Sequence, residues 1–115
     1  MVCNSSMKTI SVGKDFSDTP MGRYPTDGGF SGERFREEIL VPALKSEGVV
    51  HVVIDDAEGY GSSFLEEAFG GLVRKGYHTA AALKKKLAID LKNTDYELYR
   101  SLIWKYISEA KSSAS

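Results

Sequence analysis

The chain has 115 residues, 42% of them hydrophobic, which is enough for one domain with a core of its own. Its 15 Lys and Arg nearly balance its 16 Asp and Glu, and a net charge of −1 argues against a nucleic-acid or membrane surface. The single cysteine, Cys3, excludes an internal disulfide and a thiolate metal cluster. With no signal-peptide pattern and no apolar run of membrane-spanning length, we expect a cytoplasmic protein.

The amino-terminal part combines a predicted strand with a long irregular segment. Residues 1–6 resemble a disordered leader, and we expect a single domain over residues 7–112. The β-branched residues between Met7 and Val12 predict a first strand. Residues 13–30 hold four glycines and two prolines without a clear period, although a short strand near Met21–Tyr24 is an alternative. A compact domain rarely keeps so long an irregular connection without using it.

A helix and a central strand are predicted next. Ser31 has the residue type and position of an N-cap for a helix that runs from Gly32 to about Ser46. Pro42 lies inside that helix and predicts a kink or an early end. The apolar run from Val49 to Asp55 is nearly continuous, which is typical of a strand covered on both faces.

A Gly-rich turn and two serines follow this strand. Ser63 and Glu66 have the spacing of a capping box, which predicts that Ser63 caps a second amphipathic helix. Gly76 is the expected stop of that helix. Gly70 and Gly71 lie in its middle, where glycines are unfavourable, so we expect another backbone to pass closely there.

The rest of the chain predicts a short helix, a strand and a long helix. The short helix covers Thr79 to about Lys85, and the strand covers Leu87 to Leu91. Thr94 and Glu97 form a second capping-box pattern that opens the long helix. This alternation predicts an α/β fold, a small and mostly parallel sheet with about four helices packed on it.

The residues around the serine pair resemble a known family. Val52-Val53-Ile54-Asp55, followed by Gly-Ser-Ser and a helix that starts Phe-Leu-Glu-Glu-Ala-Phe-Gly-Gly-Leu, resembles the STAS-like domain family of unknown function, DUF4325. Gly22-Arg23-Tyr24, Asp27-Gly28 and Ser31-Gly32-Glu33-Arg34-Phe35-Arg36 also resemble that family's first loop and helix. The similarity covers about residues 7–110 and implies a STAS-like fold.

The wider STAS group includes bacterial anti-sigma factor antagonists, in which a serine at a helix start is phosphorylated by a histidine-kinase-like ATPase and the phosphate breaks the complex. By position, Ser63 resembles that acceptor, with Ser62 beside it as the second phospho-acceptor candidate. This chain carries Gly61 where the antagonists carry Asp, and Phe64 where they carry Gly. The resemblance implies a non-enzymatic regulatory or adaptor module whose partner is such an ATPase.

We expect the partner to contact the turn, the helix start and the long loop beside them. Exposed aromatic residues and arginines there are the types that supply binding hot spots. The predicted contact residues are Gly59, Tyr60, Gly61, Phe64, Glu67, Arg23 and Tyr24.

Two other functions remain open from the sequence. A small-molecule or nucleotide sensor would use the Gly-rich loop at residues 22–32, with Arg23 binding an anion. An enzyme would use Asp55, Asp56 and Ser62, but no His, Lys or third carboxylate is placed by a motif to complete a catalytic or Mg²⁺ site. We therefore expect no catalytic residue, no metal and no cofactor, and we interpret the two aspartates as a solvent-facing strand end. The oligomeric state is not determined by the sequence.

Overall fold

The chain folds as an α/β domain in which strands and helices alternate. A computed structural model describes residues 7–22, 24, 26, 30–45 and 48–110. With consecutive helical segments counted as one helix, its elements are β1 (Met7–Ser11), α1 (Val12–Asp15), α2 (residues 32–44), β2 (Val49–Val53), α3 (residues 62–74), α4 (Ala80–Lys86), β3 (Leu87–Asp90) and α5 (Glu97–Glu109), the last preceded by a 3₁₀ turn (Thr94–Tyr96).

The three strands form one parallel sheet in the order β1-β2-β3. Ile10 lies opposite Val52, and Val52 lies opposite Ile89, so these residues make one buried row across the sheet. Helix α3 packs against both α2 and α5, and the buried residues of these helices join this face of the sheet in one core. The expected α/β class, with its small parallel sheet, is confirmed.

The prediction that β2 is covered on both faces is wrong. Val50 and Val52 are fully buried, whereas the alternate residues, including His51, are half-buried. The Nδ1 atom of His51 lies 2.9 Å from Oδ2 of Asp90 on this second face. A nearly continuous apolar run therefore belongs here to a strand whose second face remains partly open.

The helices α2 and α3 each contain a π-helical segment. In α2 an α-helical turn (Gly32–Phe35) is followed by a π segment (Arg36–Leu40) and another α-helical turn (Val41–Leu44). Of the kink or early end predicted at Pro42, the early end is wrong, because the helix continues to Leu44. Pro42 cannot donate to the carbonyl of Glu38 and would crowd it, and the wider π turn just before it accommodates this defect.

The second helix has the same construction. In α3 the segments are Ser62–Leu65, the π-helical Glu66–Gly70, and Gly71–Arg74. The helix ends at Arg74, and Gly76 follows it as the predicted stop, with a φ of 82° that glycine adopts more readily than other residues.

A buried ion-pair network joins α2 to α3. The Arg36 and Glu67 side chains are only 1% and 2% exposed, and Nη1 of Arg36 lies 2.6 Å from Oε2 of Glu67. The same Nη1 donates to the Glu67 carbonyl at 2.7 Å, inside the π segment of α3. Arg74 pairs with both Glu66 and Glu67. The network thus fixes the two helices relative to one another.

The paired glycines of α3 are explained by packing within the domain. A Cβ at Gly71 would lie 2.3 Å from Nη1 of Arg36, so the glycine makes room for the buried guanidinium. A Cβ at Gly70 would lie 3.4 Å from the Tyr106 carbonyl, where α5 passes closely. The expected close approach is therefore made by a side chain of α2 and the backbone of α5.

Two further predictions are corrected. The capping box at Thr94 does not form, because the cap of the 3₁₀ turn is Asn93, whose Oδ1 accepts the Asp95 N–H. In the described part of the first loop, Met21, Gly22 and Tyr24 form no strand.

None of the helices in the described ranges has the length and apolar character needed to cross a bilayer.

Candidate functional site

The turns that follow the three strands meet at the carboxyl edge of the sheet, where ligands and partners commonly bind to α/β proteins. Asp55 and Asp56 occupy the centre of this edge, just after β2. Oδ2 of Asp55 accepts the backbone N–H groups of Lys92 and Asn93, which follow β3. Oδ1 of Asp56 accepts the N–H of Gly13, which follows β1. The two carboxylates are therefore more than the solvent-facing strand end that the sequence predicts, because they diverge and anchor the neighbouring turns.

The hydrogen bonds from the Lys92 and Asn93 backbone lower the pKa of Asp55 below its ordinary value of 3.8. A group with a depressed folded-state pKa contributes stability above its unfolded-state pKa, and loses it as the pH falls through the folded value. We therefore expect Asp55→Asn to be destabilising above about pH 4, with a difference from the wild type that shrinks as the pH is lowered from there. Urea unfolding over this pH range measures it, and a pH-independent difference would contradict the anchoring role.

The two serines lie on the surface at the start of α3. Ser62 is the first residue of the helix, and Gly61 occupies the N-cap position without any side-chain cap. The predicted capping box of Ser63 and Glu66 is therefore wrong, because Ser63 lies inside the helix and Glu66 pairs with Arg74 instead. Both serines are exposed. Neither serine is the N-cap, so the hydroxyl of Ser63 does not have the capping role that the sequence predicts.

Three of the predicted contact residues lie inward. Phe64 is completely buried and Glu67 is almost so, which removes both side chains from direct contact with a partner. Tyr60 is half-buried, and its hydroxyl donates to the Ile54 carbonyl at 2.6 Å. Burial also raises the pKa of Tyr60. Tyr60 therefore fixes the turn, while Gly59 and Gly61 remain partly accessible.

A chain of aromatic rings lies beneath the turn and connects it to the first loop, residues 16–31. The Phe16 ring contacts those of Phe30 and Phe64, with centroids 5.4 and 6.1 Å apart. Tyr60 continues the chain from Phe64 to Tyr99 of α5. The turn and the described part of the first loop are therefore held on one packed base.

The first loop exposes large apolar side chains next to the turn. Met21, Tyr24 and Phe30 are all exposed, and the Met21 N–H donates to the Phe30 carbonyl at 3.1 Å. Met21 and Phe30 were not among the predicted contact residues, although a Met and a Phe in a Gly- and Pro-rich loop are a usable signal. A cleft of about 370 Å³ separates this loop from the turn; it is lined by Thr19, Pro20, Met21, Glu58, Gly59, Tyr60 and Gly61.

Several predicted residues lie outside the described ranges. Arg23 was predicted to contact a partner or an anion, and Gly28 and Gly29 belong to the loop of the sensor hypothesis. Ser31, at the end of that loop, is described and is confirmed as the N-cap of α2, since its hydroxyl accepts the Arg34 N–H at 3.3 Å.

One comparison with known proteins agrees with the fold. Residues 31–96, more than half of the chain, match the STAS-like domain of unknown function (DUF4325). The matched region runs from the N-cap of α2 to the 3₁₀ turn before α5, and so contains β2, the serine pair and β3. No curated protein and no solved structure matches the chain significantly. On this match, together with a three-stranded parallel sheet covered by helices, the chain belongs to the family of STAS-like domains of unknown function (DUF4325).

Proposed function

We propose that this domain is a non-enzymatic adaptor that binds a protein partner at the carboxyl edge of its sheet, and that phosphorylation of Ser62 or Ser63 releases the partner. The observation that carries the proposal is the proximity of two exposed serines at a helix start to an exposed apolar loop. We call this region the contact surface and define it as Met21, Tyr24, Phe30, Gly59, Gly61, Ser62 and Ser63.

The apolar part of the contact surface supports protein binding. Among the described residues, only five large hydrophobic side chains are exposed, and three of them are Met21, Tyr24 and Phe30. Exposed apolar residues that cluster in this way mark interaction sites more often than scattered ones do. Met and aromatic residues are also enriched where protein interfaces gain most of their binding energy.

The serines supply a means of control. A phosphate brings about two negative charges, and the start of a helix tolerates them because its backbone N–H groups carry partial positive charge. The two glutamates that follow in α3 would otherwise oppose a phosphate, but Glu66 and Glu67 are both paired with Arg74. A partner docked over the contact surface would have to desolvate that phosphate, which is costly. Phosphorylation is therefore compatible with the folded domain and incompatible with an apolar partner.

The class of partner comes from the family resemblance. In the STAS domains that act as anti-sigma factor antagonists, the partner is a histidine-kinase-like ATPase that also phosphorylates the serine. The same arrangement here would transfer the terminal phosphoryl group of ATP to a serine hydroxyl oxygen, with ADP leaving and the hydroxyl proton released. The domain itself then needs only to present the serine, which fits a module without catalytic residues.

Site-specific photo-cross-linking in the native cell tests the proposal. A photoreactive phenylalanine analogue at Phe30 is expected to cross-link to a partner protein, because Phe30 lies on the contact surface and is 43% exposed. Changing Ser62 and Ser63 together to Asp is expected to abolish that cross-link, since the added charge imitates a phosphate. Changing both serines to Ala is expected to preserve it.

The matched control is Tyr77, an aromatic residue that is 42% exposed. It follows α3 at the end opposite to the serines, about 20 Å away along a helix with a rise of about 1.5 Å per residue. The same analogue at Tyr77 is expected to give no cross-link to that partner. Equal cross-linking from both positions, or a cross-link unaffected by the two Asp substitutions, would refute the proposal.

A further inference from the structure

A second cleft lies at the same edge of the sheet, on the other side of Asp55. It is lined by Val53, Asp55, Asp90, Leu91, Lys92 and Arg100, and has a volume of about 490 Å³. We call it the strand-end cleft. It shares no lining residue with the cleft beside the contact surface. It lies at the carboxyl ends of β2 and β3, where parallel sheets most often bind small ligands.

The size and the lining of the strand-end cleft suit a small molecule. Cavities that hold small ligands usually measure about 300–1,000 Å³ and combine apolar walls with a few convergent polar groups. Here Val53 and Leu91 supply the apolar part, and both are half-buried. The charged lining residues are two acids and two bases, so the cleft carries no net charge.

The hydrogen-bonding groups of the cleft are only partly used. Oδ2 of Asp55 is occupied by two backbone N–H groups, and Arg100 directs Nη2 alone to Glu97. Within the described residues, the Lys92 ammonium and the Nε and Nη1 groups of Arg100 have no hydrogen-bond partner. Asp90 pairs with His51 through Oδ2, and its Oδ1 accepts no hydrogen bond from any described residue. The cleft thus offers free donors on two cations and a free acceptor on a carboxylate.

We propose that the strand-end cleft binds a small zwitterion of the amino-acid class. The ligand carboxylate binds Lys92 and Arg100, and its ammonium group donates to Asp90. Its aliphatic part packs on Val53 and Leu91. A simple anion would leave Oδ1 of Asp90 without a donor, and a simple cation would face Lys92 and Arg100. Only a ligand with both charges uses the donors and the acceptor together.

The test is an NMR titration of the full, ¹⁵N-labelled chain with the common L-amino acids and γ-aminobutyrate, first mixed and then singly. At least one of them is expected to give saturable shifts at Val53, Leu91 and Lys92. Its deaminated and its decarboxylated analogues are each expected to bind about tenfold more weakly, because each loses one charged hydrogen-bonding group. Lys92→Ala and Arg100→Ala should each weaken binding by a similar factor.

Two comparisons make the result specific. Asp90→Asn is expected to weaken binding of the amino acid but not of its deaminated analogue. Lys85→Ala removes an exposed lysine outside the cleft and should leave the affinity unchanged. The proposal fails if the mixture gives no saturable shift at millimolar concentration, or if the deaminated analogue binds as tightly as the amino acid. Because the readout maps to residues outside the contact surface, either outcome leaves the adaptor proposal unaffected.

Discussion

Arg36→Met is expected to lower the free energy of unfolding by about 3 kcal/mol. Breaking a buried ion pair by removing one partner costs about 3–5 kcal/mol, because the remaining charge is left in a poorly solvated place. Here the remaining charge is Glu67, and the lower end of that range applies because Arg74 still reaches Glu67 at 3.0 Å. The carbonyl of Glu67 also loses its hydrogen bond from the Arg36 guanidinium. Denaturant unfolding followed by circular dichroism measures the loss.

Two further variants separate charge from packing. Changing Arg36 and Glu67 together to Met removes both buried charges and is expected to recover most of the loss, as hydrophobic replacements of whole buried pairs often do. Arg100→Met breaks an exposed pair with Glu97 and should cost about 1 kcal/mol or less. If the double variant is as unstable as the single one, the loss comes from what both variants lack, the packing of Arg36 and its hydrogen bond to the Glu67 carbonyl, and not from an unpaired Glu67 carboxylate.

Gly13→Ala is expected to lower the free energy of unfolding by about 1–3 kcal/mol, which is the usual cost of forcing extra atoms into a filled site. A Cβ at Gly13 would lie 2.2 Å from the Asp56 carbonyl oxygen and 2.7 Å from its carbon, and neither backbone atom can turn aside as a side chain can. The end of β1 would have to move away from the turn after β2. That movement would also break the hydrogen bond from the Gly13 N–H to Asp56.

The matched control for Gly13 is Gly61→Ser. A Cβ at Gly61 meets no atom within 4 Å, and the φ of −78° there suits any residue. Serine is also a good N-cap residue, so we expect unchanged stability or a gain of a few tenths of a kcal/mol. Thermal unfolding of the two variants side by side tests the pair. Equal losses from both would show that the contact between Gly13 and Asp56 is not the source of the effect.

The contact surface and the strand-end cleft share one structural element, the turn after β2. Asp56 fixes that turn to the end of β1, and Asp55 fixes it to the segment after β3. Substitutions at either aspartate are therefore expected to disturb both regions together. Ser62 belongs to the contact surface alone and Lys92 to the strand-end cleft alone, and both are exposed. Substitutions at these two residues therefore test each region separately in the binding experiments.

The order and type of the main elements were predictable from the sequence, because local patterns decide them. Apolar spacing placed the helices, β-branched runs placed the strands, and glycines such as Gly76 marked the ends. The motif around Ser62 and Ser63 was sufficient to indicate the family, and the family match includes that motif.

The details that define the site were not predictable in this way. Ser63 fits a capping box as well as any serine, yet the N-cap lies two residues earlier, at Gly61, and the choice depends on how the turn packs on Tyr60 and Phe64. The sequence also gives no sign that Phe64 and Glu67 are buried while Met21 and Phe30 are exposed. Burial of these residues depends on which helix lies across them.

Local patterns in the chain thus suffice to specify an α/β domain of the STAS-like family with two serines at a helix start, since period, turn residues and a short motif are properties of neighbouring residues. Long-range packing was needed to pair Arg36 with Glu67 in the core, to direct Asp55 and Asp56 to opposite turns, and to form the strand-end cleft beside them. The side-chain contacts behind these features join residues more than 30 positions apart, and the geometry of such contacts depends on the packing of the whole chain.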